Sequence, residues 1–207
     1  MARVTTGTGK GFSGKVGGLV FSQQNDETYV RSAPQRKKNS WSPRQQLHRI
    51  RFKAVHDYCA KYRYTLIPQI WNLAAKDRHG FNLFLKANMP AFALDGQLAE
   101  QGKLHFSDGK LPLPLQFKAK RTDGDPSKIE VSWLNDANLP GVYIHDDLLM
   151  IAGYPDHFTS PLTTGLQRRD CHGVISLPID HSEITGIWLS FAAPDKEAYS
   201  PDQYFGI

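Results

Sequence analysis

Leu115-Gln116-Phe117-Lys118-Ala119-Lys120, Asp123-Gly124-Asp125-Pro126 and Lys128-Ile129-Glu130-Val131-Ser132-Trp133 are two alternating runs with a turn signal between them. Apolar and polar residues alternating at a period of two mark a strand with one buried face, and Asp-Gly beside a proline marks the reversal. The pair predicts a hairpin that carries the Trp133 indole into a core between sheets. Downstream, residues 142–145, 148–152, 173–177, 186–192 and 203–206 read as further strands separated by Gly, Pro and Asp turns. Short strands at this spacing predict an all-β sandwich of the immunoglobulin/fibronectin-like kind over residues 112–207. The two cysteines, Cys59 and Cys171, supply no disulfide framework.

Upstream the period changes. Ser42-Pro43 predicts a helix start, because serine caps well and proline suits the first helical position. Leu47, Ile50, Ala54, Tyr58, Tyr62 and Leu66 then recur at three- and four-residue steps as one apolar stripe, and Pro68 is expected to end or kink the helix. Shorter helices are expected around residues 70–76 and 80–88. Nearer the start, residues 16–22 and 27–32 predict a hairpin around the polar loop 23–26, preceded by a Gly-, Thr- and Lys-rich arm that is extended or mobile unless it docks. A lone hairpin is marginal in water, so it should pack on a helix or a neighbouring chain. The fold class is therefore α+β. A basic arm, hairpin and helices fill residues 1–91, a linker spans 92–111, and an acidic sandwich fills 112–207. Neither half is large enough to be very stable alone, so the two should share an interface.

The charge layout follows the same division. Residues 1–90 hold 16 Lys and Arg against four acids, a formal +12, whereas residues 91–207 hold 9 against 16, a formal −7. Such a split suits an end that meets a polyanion or an acidic protein, or halves that attract each other within or between copies. Arg36, Lys37, Lys38, Arg44, Arg49, Arg51, Lys53, Lys61 and Arg63 fall within 28 positions, interleaved with Trp41, Phe52, Tyr58, Tyr62 and Tyr64. Cations can neutralise phosphates and exposed aromatics can stack on bases. Tyr58 and Tyr62, however, lie on the apolar stripe and read as core. The partner- or nucleic-acid-binding candidates are thus Arg36, Lys37, Lys38, Arg44, Arg49, Arg51, Lys53 and Arg63. No helix-turn-helix, zinc-finger or ribonucleoprotein motif accompanies them, so any nucleic-acid binding would be sequence-blind and salt-sensitive.

Signals of catalysis are sparse. Gly9-Lys10-Gly11-Phe12-Ser13-Gly14-Lys15 has the spacing of a phosphate-binding loop up to its lysine, but Val16 stands where a Mg²⁺-holding Ser or Thr belongs, and a Gly-Gly strand follows in place of a helix start. His56 and Cys59 share a helix face, yet two ligands make no zinc site. In Asp170-Cys171-His172 adjacent residues on a strand point to opposite faces. The clusters His145-Asp146-Asp147, Asp156-His157 and Asp180-His181 read as solvated turns. No catalytic residue, metal or cofactor is expected. No run of ~18 apolar residues predicts a membrane-spanning helix, and the start lacks a signal-peptide core.

Gly11-Phe12-Ser13-Gly14-Lys15-Val16-Gly17, Val30-Arg31-Ser32-Ala33-Pro34 and Ser42-Pro43-Arg44-Gln45-Gln46-Leu47 with Arg49 and Arg51-Phe52 resemble the opening motif, second strand and first helix of an uncharacterised family found mainly in Bacteroidetes, known as a domain of unknown function. The tract from Ile129-Glu130-Val131-Ser132-Trp133 to Tyr204-Phe205-Gly206 is similar to that family's terminal β-sandwich. The resemblance covers most of the chain and implies architecture; the family carries no established activity to transfer. The expectation is a non-enzymatic structural or assembly protein that docks through its basic N-terminal half on a protein partner, a second copy or a polyanion. One concrete version is a virion or mobile-element component. The alternatives are a cytoplasmic, sequence-independent nucleic-acid-binding accessory protein and a hydrolase with a site in the β domain. The expected location is cytoplasmic or virion-associated.

Overall fold

A computed structural model of the chain describes residues 2–4, 12–24, 27–35, 41–75, 79–134, 142–178 and 181–207. They have mixed α and β structure: three α-helices and three antiparallel sheets, with most strands toward the C-terminus. Two compact units divide the chain, Met1–Pro43 and Arg44–Ile207.

The first unit is a four-stranded sheet in the order β1-β4-β3-β2, formed by Ala2–Val4 (β1), Gly14–Val16 (β2), Leu19–Gln24 (β3) and Glu27–Ser32 (β4). The expected hairpin is present as β3–β4, with Leu19 opposite Ser32 and Gln24 opposite Glu27. The single strand expected over 16–22 is instead cut by a turn at Gly17-Gly18, with Val16 opposite Leu19. Gly17 sits at φ +56°, a conformation that glycine adopts at little cost, so the Gly-Gly pair makes a second hairpin rather than a strand interior. Within the expected arm, Ala2–Val4 pairs with β4; residues 5–11 lie outside the described residues.

In the second unit, β10 (Gly186–Ala192) is buried along its whole length, and β7 (Asp147–Gly153) nearly so. They pair antiparallel, with Trp188 opposite Ile151, at the centre of a sheet ordered β11-β10-β7-β8, where β8 is Leu162–Gln167 and β11 is Gln203–Gly206. Side chains alternate faces along a strand. Leu148, Met150, Ala152, Ile187, Leu189 and Phe191 therefore meet one layer, while Ile151 and Trp188 meet another. The first layer is the sheet β5-β6-β9, made of Lys118–Thr122, Asp125–Ser132 and His172–Ser176, which contributes Ile129, Val131 and Ile175. Trp133 packs edge-on to Phe117 and Phe191 in this core, and its Nε1–H donates to the Arg168 carbonyl at 2.8 Å. The second layer is helical: α1 (Pro43–Ala60), α2 (Ile67–Ala75) and α3 (Gly80–Asn88) bring Val55, Cys59, Trp71 and Phe84 against Trp188. The helices and the strands of residues 44–207 thus share a core.

Several expectations move. The stretch 92–111, read above as a linker, sends Phe92, Leu104 and Phe106 into the helix-side core. The long first helix stops at Ala60. A turn follows in which Thr65 Oγ1 donates to the Tyr62 carbonyl and accepts from the Ile67 amide, and Pro68 occupies the first turn of α2, where its missing N–H costs nothing. The fully buried positions of α1 are Val55 and Cys59, and Ala54 and Tyr58 of the predicted stripe pack half-buried against the same core. The strand expected from Leu115 begins at Lys118, since Gln116 turns the chain at φ +53°. Residues 142–145 are not a strand; residues 144–145 form a turn. The strand β8 was missed, being a sheet-edge strand broken in pattern by Gly165 at φ +83°.

Candidate partner-docking surface

Helix α1 carries most of the described candidates. Arg36, Lys37 and Lys38 lie outside the described residues. Arg44, Arg49 and Lys53 are exposed on α1, whose composition is +3 in Lys and Arg over acids. Lys53 Nζ pairs with Asp57 Oδ2 at 2.6 Å, and this bond, with a smaller one from His56, holds the exposed Asp57 carboxyl below its usual range. Arg51 is different: it turns inward, and its guanidinium donates to the Met89 carbonyl, fastening α1 to the 3-10 turn Met89–Ala91. Arg63, exposed beyond the end of α1, borders a separate hollow of about 260 Å³ floored by Cys59, Tyr62, Trp71 and Phe84.

The structure brings Arg49 and Lys53 together with groups that the basic pattern does not reveal. They line one open groove of about 800 Å³ with His48, Ile50, Phe52 and Met89. Leu47, Ile50 and Phe52 are 39%, 49% and 52% exposed, although a helix normally buries its large apolar side chains on a core. Ile50 and Phe52 were legible as apolar residues. Met89 was not, because 36 residues separate it from Lys53 and only packing unites them.

The aromatics separate into two groups. Tyr58 and Tyr62 pack edge-to-face at 5.4 Å, Tyr62 fully buried, as their place on the stripe implied. Burial pushes the Tyr62 hydroxyl up to about 12 and the Tyr58 hydroxyl further still. Phe52, Trp41 and Tyr64 are exposed, Tyr64 almost completely.

Among the described residues, the other constellations show the following geometry. Burial raises the Cys59 thiol to about 12, which leaves it protonated at neutral pH, while its helix neighbour His56 turns to Asp57 and Phe81. Cys171 sits at φ +59°, its Sγ directed at the Arg169 carbonyl at 3.4 Å. Lys15 of the phosphate-loop-like stretch lies in strand β2, so no helix N-terminus follows it. Among the described residues, no group of three or more His, Cys, Asp and Glu is placed to hold a metal ion.

The turn His145-Asp146-Asp147 is not simply solvated. Asp146 is fully buried and accepts from Arg168 Nε at 3.1 Å; the Arg168 guanidinium lies 4.2 Å above the Phe191 ring and donates to the Pro112 carbonyl at 2.8 Å. The Arg168 charge is thereby neutralised and capped inside the sandwich. Sequence could have offered only two opposite charges 22 residues apart. At Asp156-His157 the ring stacks flat on Tyr154 at 4.4 Å, and its hydrogen bond holds the exposed Asp156 carboxyl low.

Among the described residues, no helix is long and apolar enough to cross a membrane. No protein-family model matches the chain, and no curated protein matches it.

Proposed function

We propose that the chain is a non-enzymatic structural or assembly protein that docks through its basic N-terminal half. The carrying observation is that strands β2, β3 and β4 bury almost none of their side chains. Over residues 12–24, 27–35 and 41–43, where burial is described, Thr28 alone is buried, and Phe12, Val16 and Leu19 are exposed. A sheet needs a surface to cover an apolar face, and a small one without it is marginal. Charge supports the same end of the molecule. Residues 1–43 hold seven Lys and Arg against two acids, whereas residues 44–207 hold 18 of each, so the net +5 of the chain resides in the first unit.

Within this proposal residues 112–207 are an immunoglobulin/fibronectin-like domain. Lettering β5 to β11 as A, B, C, C′, E, F and G gives sheets A-B-E and G-F-C-C′, an order that supports it. Kinship with the Bacteroidetes family of unknown function and a place in a virion or mobile element belong to the same proposal. Fold alone does not supply the role.

Light scattering combined with amide exchange tests it on the full chain, with and without nonspecific duplex DNA, at low and high salt. Assembly that disappears when residues 1–43 are removed supports the proposal. So does a monomer in which the amides of β2–β4 exchange far faster than those of β10. A monomer that protects both sheets equally overturns it. Binding to DNA alone, lost steeply with salt, would make the partner a polyanion.

A further inference from the structure

The groove on α1 has a chemistry that selects one kind of occupant. Its floor is apolar: Ile50 and Phe52 from the helix and Met89 from the facing 3-10 turn. Among the described residues, its remaining lining residues are His48, Arg49 and Lys53, of which Lys53 is paired with Asp57 one turn further along α1. Arg51, reaching across to the Met89 carbonyl, fastens the two walls together, so the groove is formed before anything enters it. From Leu47 to Lys53 the helix advances about 9 Å, which matches roughly two turns of a second helix laid beside it.

We propose that this groove receives an acidic amphipathic helix from a partner protein. Apolar anchors of the partner, spaced three and four residues apart, would enter beside Ile50, Phe52 and Met89, and carboxylates flanking them would meet Arg49 and His48 and compete with Asp57 for Lys53. A nucleic-acid backbone would satisfy the cations but leave the apolar floor wet. A basic helix would be repelled by the same cations, which adds specificity to the apolar attraction. This inference rests on the docking reading above and names the partner's chemistry.

Fluorescence anisotropy with the full chain and synthetic helical peptides of about 18 residues, five turns, tests it. The first peptide carries Leu and Phe at helical spacing between Glu residues. The second replaces every Glu with Lys, and the third replaces every Leu and Phe with Ala. The first should bind, and the other two should not. Ile50→Asn or Phe52→Ser should weaken the first peptide about tenfold or more, as truncated interface anchors do. Both side chains are already half exposed, so circular dichroism should show the fold intact. Arg49→Glu with Lys53→Glu should transfer preference to the Lys peptide. Equal binding of the Ala peptide, indifference to Ile50→Asn, or no binding of the first peptide overturns the proposal. A single-stranded oligonucleotide that competes with the first peptide in an Ile50-independent way overturns it too. The two readings fail separately. An assembly dependent on residues 1–43 with no peptide binding sinks only the groove, and an equally protected monomer that binds the first peptide sinks only the role of the N-terminal sheet.

Discussion

The sheet of residues 1–43 and the central sheet of residues 44–207 both have four antiparallel strands, and they stand at opposite ends of the burial scale. Strand β10 is buried at every residue because one face meets the β5-β6-β9 sheet and the other meets the helices. Strand β2 is exposed at every residue, and β3 and β4 have only Thr28 buried. Hydrogen-bonded pairing is extensive in both: β3–β4 registers over six pairs and β7–β10 over seven. Pairing therefore does not distinguish a finished sheet from one awaiting a surface. Layering does, because apolar area removed from water, at roughly 25 cal/mol per Å², is what offsets the entropy of ordering the strands.

The strongest way to break the contrast is to damage what finishes the central core. Asp146→Ala leaves the Arg168 guanidinium buried without its counter-charge, and should cost about 3–5 kcal/mol in denaturant unfolding of residues 44–207. Combining Arg168→Met with Asp146→Leu should recover most of that loss, since an apolar pair needs no desolvation. A loss as large in the double variant would show that the charge pair itself stabilises the fold.

Gly109→Ala probes the packing between the 105–111 segment and the C-terminal tract. A Cβ there would strike the Tyr199 carbonyl, which also accepts from the Leu111 amide at 3.0 Å. Overpacking of this kind should cost roughly 1–3 kcal/mol. An unchanged midpoint would mean that the two segments part easily.

A smaller, pH-dependent effect belongs to His105. Buried Asp202 accepts from the amides of Phe106 and Ser107 and from His105 Nδ1 at 2.9 Å, joining the C-terminal tract to the helix-side core. The hydrogen bond to Asp202 raises the His105 pKa above 6.5, against the opposing effect of burial. A raised pKa means that the protonated imidazole stabilises the fold fully below about pH 6.5 and loses that contribution as pH rises through the folded-state value. Urea midpoints of the protein and of His105→Ala should differ most in mild acid and draw together as pH rises through the folded-state value. A gap that widens with pH would contradict this arrangement. Because the ring is half exposed, solvent screening keeps the slope shallow.

The smallest effects sharpen the comparison from the other side. Lys53→Ala removes an exposed i,i+4 pair with Asp57 and should leave the urea midpoint unchanged, because solvent screens such a pair. Removing residues 1–40, which keeps the Ser42-Pro43 start of α1, should leave the unfolding of the remainder within about 0.5 kcal/mol, the size of a surface change, because among the described residues the three apolar clusters lie in residues 44–207. A larger loss would show that the N-terminal sheet contributes to that core.

Much of this was legible one element at a time. The alternation in Lys128-Ile129-Glu130-Val131 places Ile129 and Val131 inside and their neighbours outside, as found, and Trp133 reaches the core. Ser42-Pro43 marks the start of α1. Errors gather where a local signal had two meanings. Gly17-Gly18 serves as a strand interior or a turn, Pro68 as a helix breaker or a helix opener, and β8 carries too few apolar residues to declare itself. Among the site candidates, the sequence indicated the cations of α1 but not which of them share a surface. Arg49 and Lys53 line the groove, Arg51 is spent as a structural tie, and Arg63 faces a different hollow.

Sequence alone determined the periods, the turns, the location of the positive charge and the mixed α and β content, because these depend on backbone preferences and near neighbours. Only the tertiary structure decided that Val55 and Cys59, not Ala54 and Tyr58, are the fully buried pair of α1, that Asp146 and Arg168 meet inside the sandwich, and that Met89 closes a groove against Ile50 and Phe52. The last two outcomes join residues 22 to 39 positions apart. They follow from how layers fill space, which no local pattern encodes.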